Sequence, residues 1–128
     1  MLLAFGTMAV VGVGWALWML SHPATTILYR AMSDAERRDI LAVGRFRCVG
    51  HSTEGKWLAE QHGHARAWGR QFYPKESFCI AAVTLRTAVA DALFRSHPNL
   101  DQIGSARYAE LEQLESAMIE VIEEVRPS

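Results

Sequence analysis

The chain has 128 residues, 50% of them hydrophobic, and a formal net charge of −1. That length holds one domain rather than two, and the near-neutral charge excludes a global electrostatic pull toward nucleic acid or acidic lipid. Charge is nevertheless uneven along the chain: Arg30 to Cys79 holds nine Lys/Arg against six Asp/Glu, and Ile80 to Ser128 holds four against eight, a split that suits pairing with a partner or a second copy.

The first twenty residues carry no charged side chain, and Thr7 is their one hydroxyl-bearing residue. A helix from Leu2 to Leu20 would span about 30 Å, the thickness of a bilayer's hydrocarbon core. Trp15 and Trp18 fall near its end, where amphipathic rings favour the headgroup level, with Arg30 beyond them at the membrane interface. A cleaved signal peptide would carry basic residues before the apolar run, and none precede it here. Arg30, Arg37 and Arg38 follow the run, so the positive-inside rule places the N-terminus outside and the remaining domain in the cytoplasm. Ala9, Gly12 and Ala16 make a stripe of small residues suited to helix packing in lipid. The resulting expectation is a transmembrane anchor over residues 1–24, a juxtamembrane linker over 25–32 and a helical domain over 33–128.

Within that domain Ser33-Asp34-Ala35-Glu36 has the capping-box pattern, predicting a helix to about Val43 that Gly44 would stop. Ser52 or Thr53 could cap a second helix carrying Trp57, Ala65, Trp68 and Phe72 on one face, weakened by Gly55, Gly63 and Gly69. Pro74 punctuates, and the run from Phe78 to Leu93 is apolar on most of its surface, predicting a central buried helix. From Ser105 to Val125, Tyr108, Leu111, Leu114, Met118, Val121 and Val125 recur in steps of three and four, opposite a glutamate-rich face. That spacing predicts a last amphipathic helix. The fold class expected is all-α: one transmembrane helix and about four further helices.

Chemistry is sparse. Cys48 and His51 have a metal-ligand spacing, but His62 and His64, two apart on an expected helix, point to opposite sides and cannot both complete a zinc site. No nucleophile elbow, phosphate loop or dinucleotide fingerprint occurs, so neither a cofactor nor enzyme activity is expected. Basic and aromatic residues interleave between Arg45 and Lys75, and Arg45, Arg47, Lys56, Arg66, Arg70 and Lys75 are candidates for contacting a partner, with Phe46, Trp57, Trp68, Phe72 and Tyr73 among them. Glu54, Glu60 and Glu76 in the same stretch argue against a nucleic-acid groove. These features suit a non-catalytic, single-pass accessory subunit that packs into or docks onto a larger membrane complex, its partners being other membrane subunits, the lipid bilayer and a possible second copy. The alternatives are a membrane-tethered adaptor or inhibitor module for a soluble partner, and a metal-binding sensor built on Cys48 and His51.

Overall fold

A computed structural model describes residues 24–47 and 55–127. The elements, in chain order, are β1 (Thr25–Met32), α1 (Asp34–Val43), β2 (Gly55–Ala59), α2 (His62–Phe72), β3 (Phe78–Arg86), α3 (Thr87–Ala92), β4 (Phe94–Arg95), β5 (Ala106–Glu110), a 3-10 turn (Leu111–Leu114) and β6 (Met118–Val125). The six strands form one antiparallel sheet in the order β4-β5-β2-β1-β3-β6. The all-α expectation is therefore corrected: the molecule is a sheet with short helices on its faces.

The physical reasons lie in three stretches. Phe78–Arg86 is a strand between β1 and β6, and its near-continuous apolar run is the mark of a strand covered on both faces, a pattern that periodicity alone cannot separate from a buried helix. The expected helix over Trp57 to Phe72 is split: Trp57 lies on β2, while Ala65, Trp68 and Phe72 do follow one another along α2. The expected C-terminal helix is β5, the 3-10 turn and β6 in succession. Its steps of three and four arise because the turn resets the alternation after β5. A bulge in the β3–β6 ladder at Ile80/Ala81 then leaves Ile122 as the extra residue, so that Val121 and Val125 join different clusters.

Residues 25–32, expected as a linker, instead form β1, one of the two central strands. Among the described residues no helix is long and apolar enough to cross a membrane. The single-pass placement, with its outside N-terminus and cytoplasmic domain, and the membrane-subunit function drawn from it are corrected accordingly to a small β-rich domain. Residues 1–20, which prompted both, lie outside the described residues.

The α1 boundaries follow local chemistry. The Ser33 hydroxyl accepts from the Glu36 amide at 3.2 Å, and Gly44 closes the helix with a φ of 81°, a left-handed conformation that glycine adopts without steric cost. Two cores result. Leu28, Met32, Ile40, Leu58, Val83 and Leu114 pack on the α1 side of the sheet, and Ala59, Ala65, Trp68, Phe78 and Ile80 pack beneath α2. The α2 helix sits close because Gly69 has no side chain: a Cβ there would overlap the buried ring of Phe78.

Candidate ligand cleft

The sheet is not uniformly zipped. Strands β1 and β3 pair from Thr25↔Arg86 to Met32↔Cys79, and β2 and β5 pair from Gly55↔Glu110 to Ala59↔Ala106, but β1 and β2 share the single register pair Tyr29↔Ala59. Beyond that pair no ladder register joins the two strands. A side chain spans the split, where Nη1 of Arg30 on β1 donates to the Trp57 carbonyl of β2 at 3.0 Å. It supplies a partner to a backbone acceptor in a stretch where the two strands have no ladder register.

Arg30 is itself held from the other side. Its Nε and Nη2 donate to the two carboxylate oxygens of Glu36 at 2.6 and 2.8 Å, and Lys56 Nζ reaches Glu36 Oε1 at 3.3 Å. Lys56 is only 2% exposed, a burial that a charged lysine reaches only with a counter-ion. Burial by itself would raise the Glu36 carboxyl, but Arg30 and Lys56 together hold it below the usual glutamate range, so it is ionised at neutral pH. Glu36, the third residue of α1, is thus not free to complete the capping box that its position suggests; its carboxylate closes the sheet.

In the split lies a cleft of about 380 Å³, open to solvent. Its floor is Arg30 and Ala31 of β1 with Gly55 and Trp57 of β2, its second wall is Trp68, Phe72 and Tyr73 at the end of α2, and its third is Leu100 and Asp101 from the β4–β5 connection. A recess of about 50 Å³ continues beneath it toward Tyr29 and Ala65. Four aromatic side chains thus bound one opening, and two of them, Trp57 at 45% and Phe72 at 63%, are more exposed than large apolar groups usually are. Tyr73 is half-buried against the Arg30–Glu36 pair. Burial pushes its phenol up from the ordinary value, the Arg30 charge opposes that rise, and the hydroxyl stays protonated at neutral pH. Gly55 keeps the floor low, since a Cβ there would overlap the Tyr108 hydroxyl and stand 2.7 Å from the Ala109 carbonyl oxygen.

The cleft can do two things chemically. Its rings offer flat apolar surface for stacking, and the Arg30 guanidinium, with five N–H donors of which Glu36 and Trp57 take three, keeps donors for an acceptor or anion.

Of the residues singled out from sequence, the structure brings Arg30 and Lys56 together, through a glutamate that no local pattern connects to them. Arg30, expected at a membrane interface, is a sheet residue. The other basic candidates are dispersed. Arg47 pairs with Asp39 at 2.8 Å and holds that carboxyl low, and Arg66 pairs with Glu123 on β6 at 3.0 Å. Arg45 lines a groove with Glu112 and Glu115, Arg70 lines a recess with Glu76 and Arg126, and Lys75 is exposed in the turn after α2. Ala9, Gly12, Trp15, Ala16, Trp18, Cys48 and His51 lie outside the described residues. His62 bonds Glu123, and His64 stands edge-on to Trp68. Cys79 is buried in β3, where burial pushes its thiol up. Among the described residues no group of three or more His, Cys, Asp or Glu is placed to hold a metal ion.

Glu36, Leu100 and Asp101 escape a sequence reading. The one local signal was Trp57, Trp68, Phe72 and Tyr73 clustering in a short stretch. Comparison of the chain with protein-family models, with curated proteins and with solved structures finds no match.

Proposed function

We propose that this protein is a small-molecule-binding domain whose ligand carries a planar aromatic ring and an anionic or strongly accepting group. The carrying observation is the split between β1 and β2, which opens a cleft of about 380 Å³ lined by Trp57, Trp68, Phe72 and Tyr73 with Arg30 in its floor. The volume falls within the range of small-molecule sites, and mostly apolar walls with a few directed polar groups are their usual composition. The ring stacks on the aromatic walls, and the anionic group takes the Arg30 N–H donors that Glu36 and Trp57 leave. Lys56 contributes charge from beneath and does not touch the ligand, because its ammonium is buried on Glu36. The proposal is of binding and assigns no reaction.

Three probes test it by nitrogen-15 NMR on the full chain: indole-3-carboxylate, which is planar and anionic; indole, which is planar and uncharged; and cyclohexanecarboxylate, which is anionic without a flat ring. Indole-3-carboxylate is expected to shift the Ala31 and Tyr73 amides and the indole N–H signals of Trp57 and Trp68, with the two controls weaker. Equal response to cyclohexanecarboxylate, or shifts confined to residues outside the cleft, would overturn the reading.

A further inference from the structure

The third wall of the cleft is built differently from the other two. The connection between β4 and β5 is closed on itself, with the Leu100 amide donating to the Gly104 carbonyl at 3.1 Å and the Ala106 amide to Ser96 Oγ at 2.9 Å. At its tip Asp101 and Gln102 both take left-handed backbone, with φ of 54° and 61°, a region that aspartate enters more readily than most residues. The tip is tied to α2 by the Trp68 indole, which donates to Asp101 Oδ2 at 2.9 Å. Trp68 is 7% exposed and belongs to the core under α2, so the donor of that bond is held in place by packing. Nearby, Gly104 lies directly against the His64 ring, where a Cβ would overlap it, so the same helix holds the loop at a second point.

A carboxylate accepts at two oxygens with about four lone-pair positions and donates at none when ionised. Trp68 takes one position and thereby aims the group, which lines the cleft. The other walls offer ring faces, a guanidinium and a protonated phenol, so Asp101 brings the one carboxylate among the side chains named in the cleft. We infer that Asp101 is a specificity-determining residue, selecting planar ligands whose ring carries an N–H donor and rejecting rings that turn an acceptor or an alkylated nitrogen toward it. The inference rests on the reading of the cleft as a ligand site and adds a second polar requirement to it. A ligand of this class has a donor edge for Asp101 and an acceptor group for Arg30 on one flat frame.

The test compares indole-3-carboxylate with 1-methylindole-3-carboxylate, which keeps the plane and the anion and loses the N–H. On the native full chain the N–H probe is expected to bind about tenfold or more tightly, the size of a hydrogen bond to a charged group. In Asp101→Asn the ratio is expected to fall several-fold, because the amide carries no charge and keeps one acceptor oxygen, one of whose two lone-pair positions Trp68 takes, while asparagine tolerates the same backbone. Equal binding of the two probes by the native chain would overturn the role of Asp101 and leave the cleft reading standing. Discrimination that persists undiminished in Asp101→Asn would overturn it too, by showing that the methyl group is excluded by shape. Failure of both probes to bind would remove the cleft reading and this inference with it.

Discussion

The half of the sheet made by β1, β3 and β6 and the half made by β2, β5 and β4 are built on different terms. In the first, β1 and β3 pair over eight residues, and Leu28, Met32, Ile80, Ala81 and Val83 are sealed from solvent. In the second, a shorter ribbon leaves Trp57 and Phe94 exposed on the two strands that flank β5, and meets the first half at one register pair. Unbroken pairing between β1 and β3 leaves no opening between the strands, although Ile27, Met118 and Ile122 in this half are exposed at its surface. Interrupted pairing hands the work to side chains, so Arg30, Glu36 and Lys56 appear where the ladder stops, and the opening beside them is the site.

The largest expected effect breaks this junction. Glu36→Ala leaves Arg30 and Lys56 without their counter-charge in a covered location, and removal of one partner from a buried ionic group costs about 3–5 kcal/mol. Urea unfolding at neutral pH measures it, and a loss under about 1 kcal/mol would show that the halves are joined without the triad. The same group predicts an acid limb. Its folded-state value lies below the unfolded value near 4.5, so its contribution is complete above that pH and is lost as pH falls through the lower folded value. In Glu36→Gln that limb should flatten.

A smaller effect should be confined to the open half. Gly55→Ala drives a methyl group into Tyr108 and the Ala109 carbonyl, and overpacking of this kind costs about 1–3 kcal/mol. Hydrogen exchange is expected to quicken in β2 and β5 more than in β1 and β3. Uniform quickening would mean that the two halves open as one unit.

Phe72→Ala should change stability by no more than about 0.5 kcal/mol, since the ring is largely exposed. It should weaken indole-3-carboxylate by several-fold to about tenfold, the worth of one aromatic contact. The smallest effect belongs to a second carboxylate clamped by two cations: Glu60 holds Arg95 at 2.8 Å and Arg107 at 2.7 Å. Arg95 is exposed there, so Arg95→Ala is expected to leave the unfolding midpoint unchanged within error. A clear shift would contradict the view that burial, rather than the number of charges, makes the Glu36 cluster the stronger of the two.

Legibility followed the range of the forces involved. The α1 helix could be read because its start and stop depend on Ser33 and Gly44, each acting within one turn. The face of α2 formed by Ala65, Trp68 and Phe72 was visible for the same reason. The β3 strand was not, since a strand buried on both faces loses the alternation that would announce it. Nor was the C-terminal pair, because the 3-10 turn and the bulge produced helical spacing from strand residues. For the cleft, the aromatic cluster from Trp57 to Tyr73 was in plain view, but Arg30, Glu36 and Asp101 come from distant parts of the chain, and nothing local links them.

The sequence by itself thus determined one capped helix, the apolar spacing along α2, the clustering of aromatic and basic residues in the middle of the chain and the absence of any familiar catalytic signature. The tertiary structure alone decided that Phe78–Arg86 is a strand, that Glu36 faces two cations, that Lys56 is buried and that four rings surround an opening. A cap is settled by hydrogen bonds among neighbours in the chain. A strand's partners and a buried charge's counter-ion are settled by residues that meet only after folding, so no window on the sequence contains both halves of the interaction.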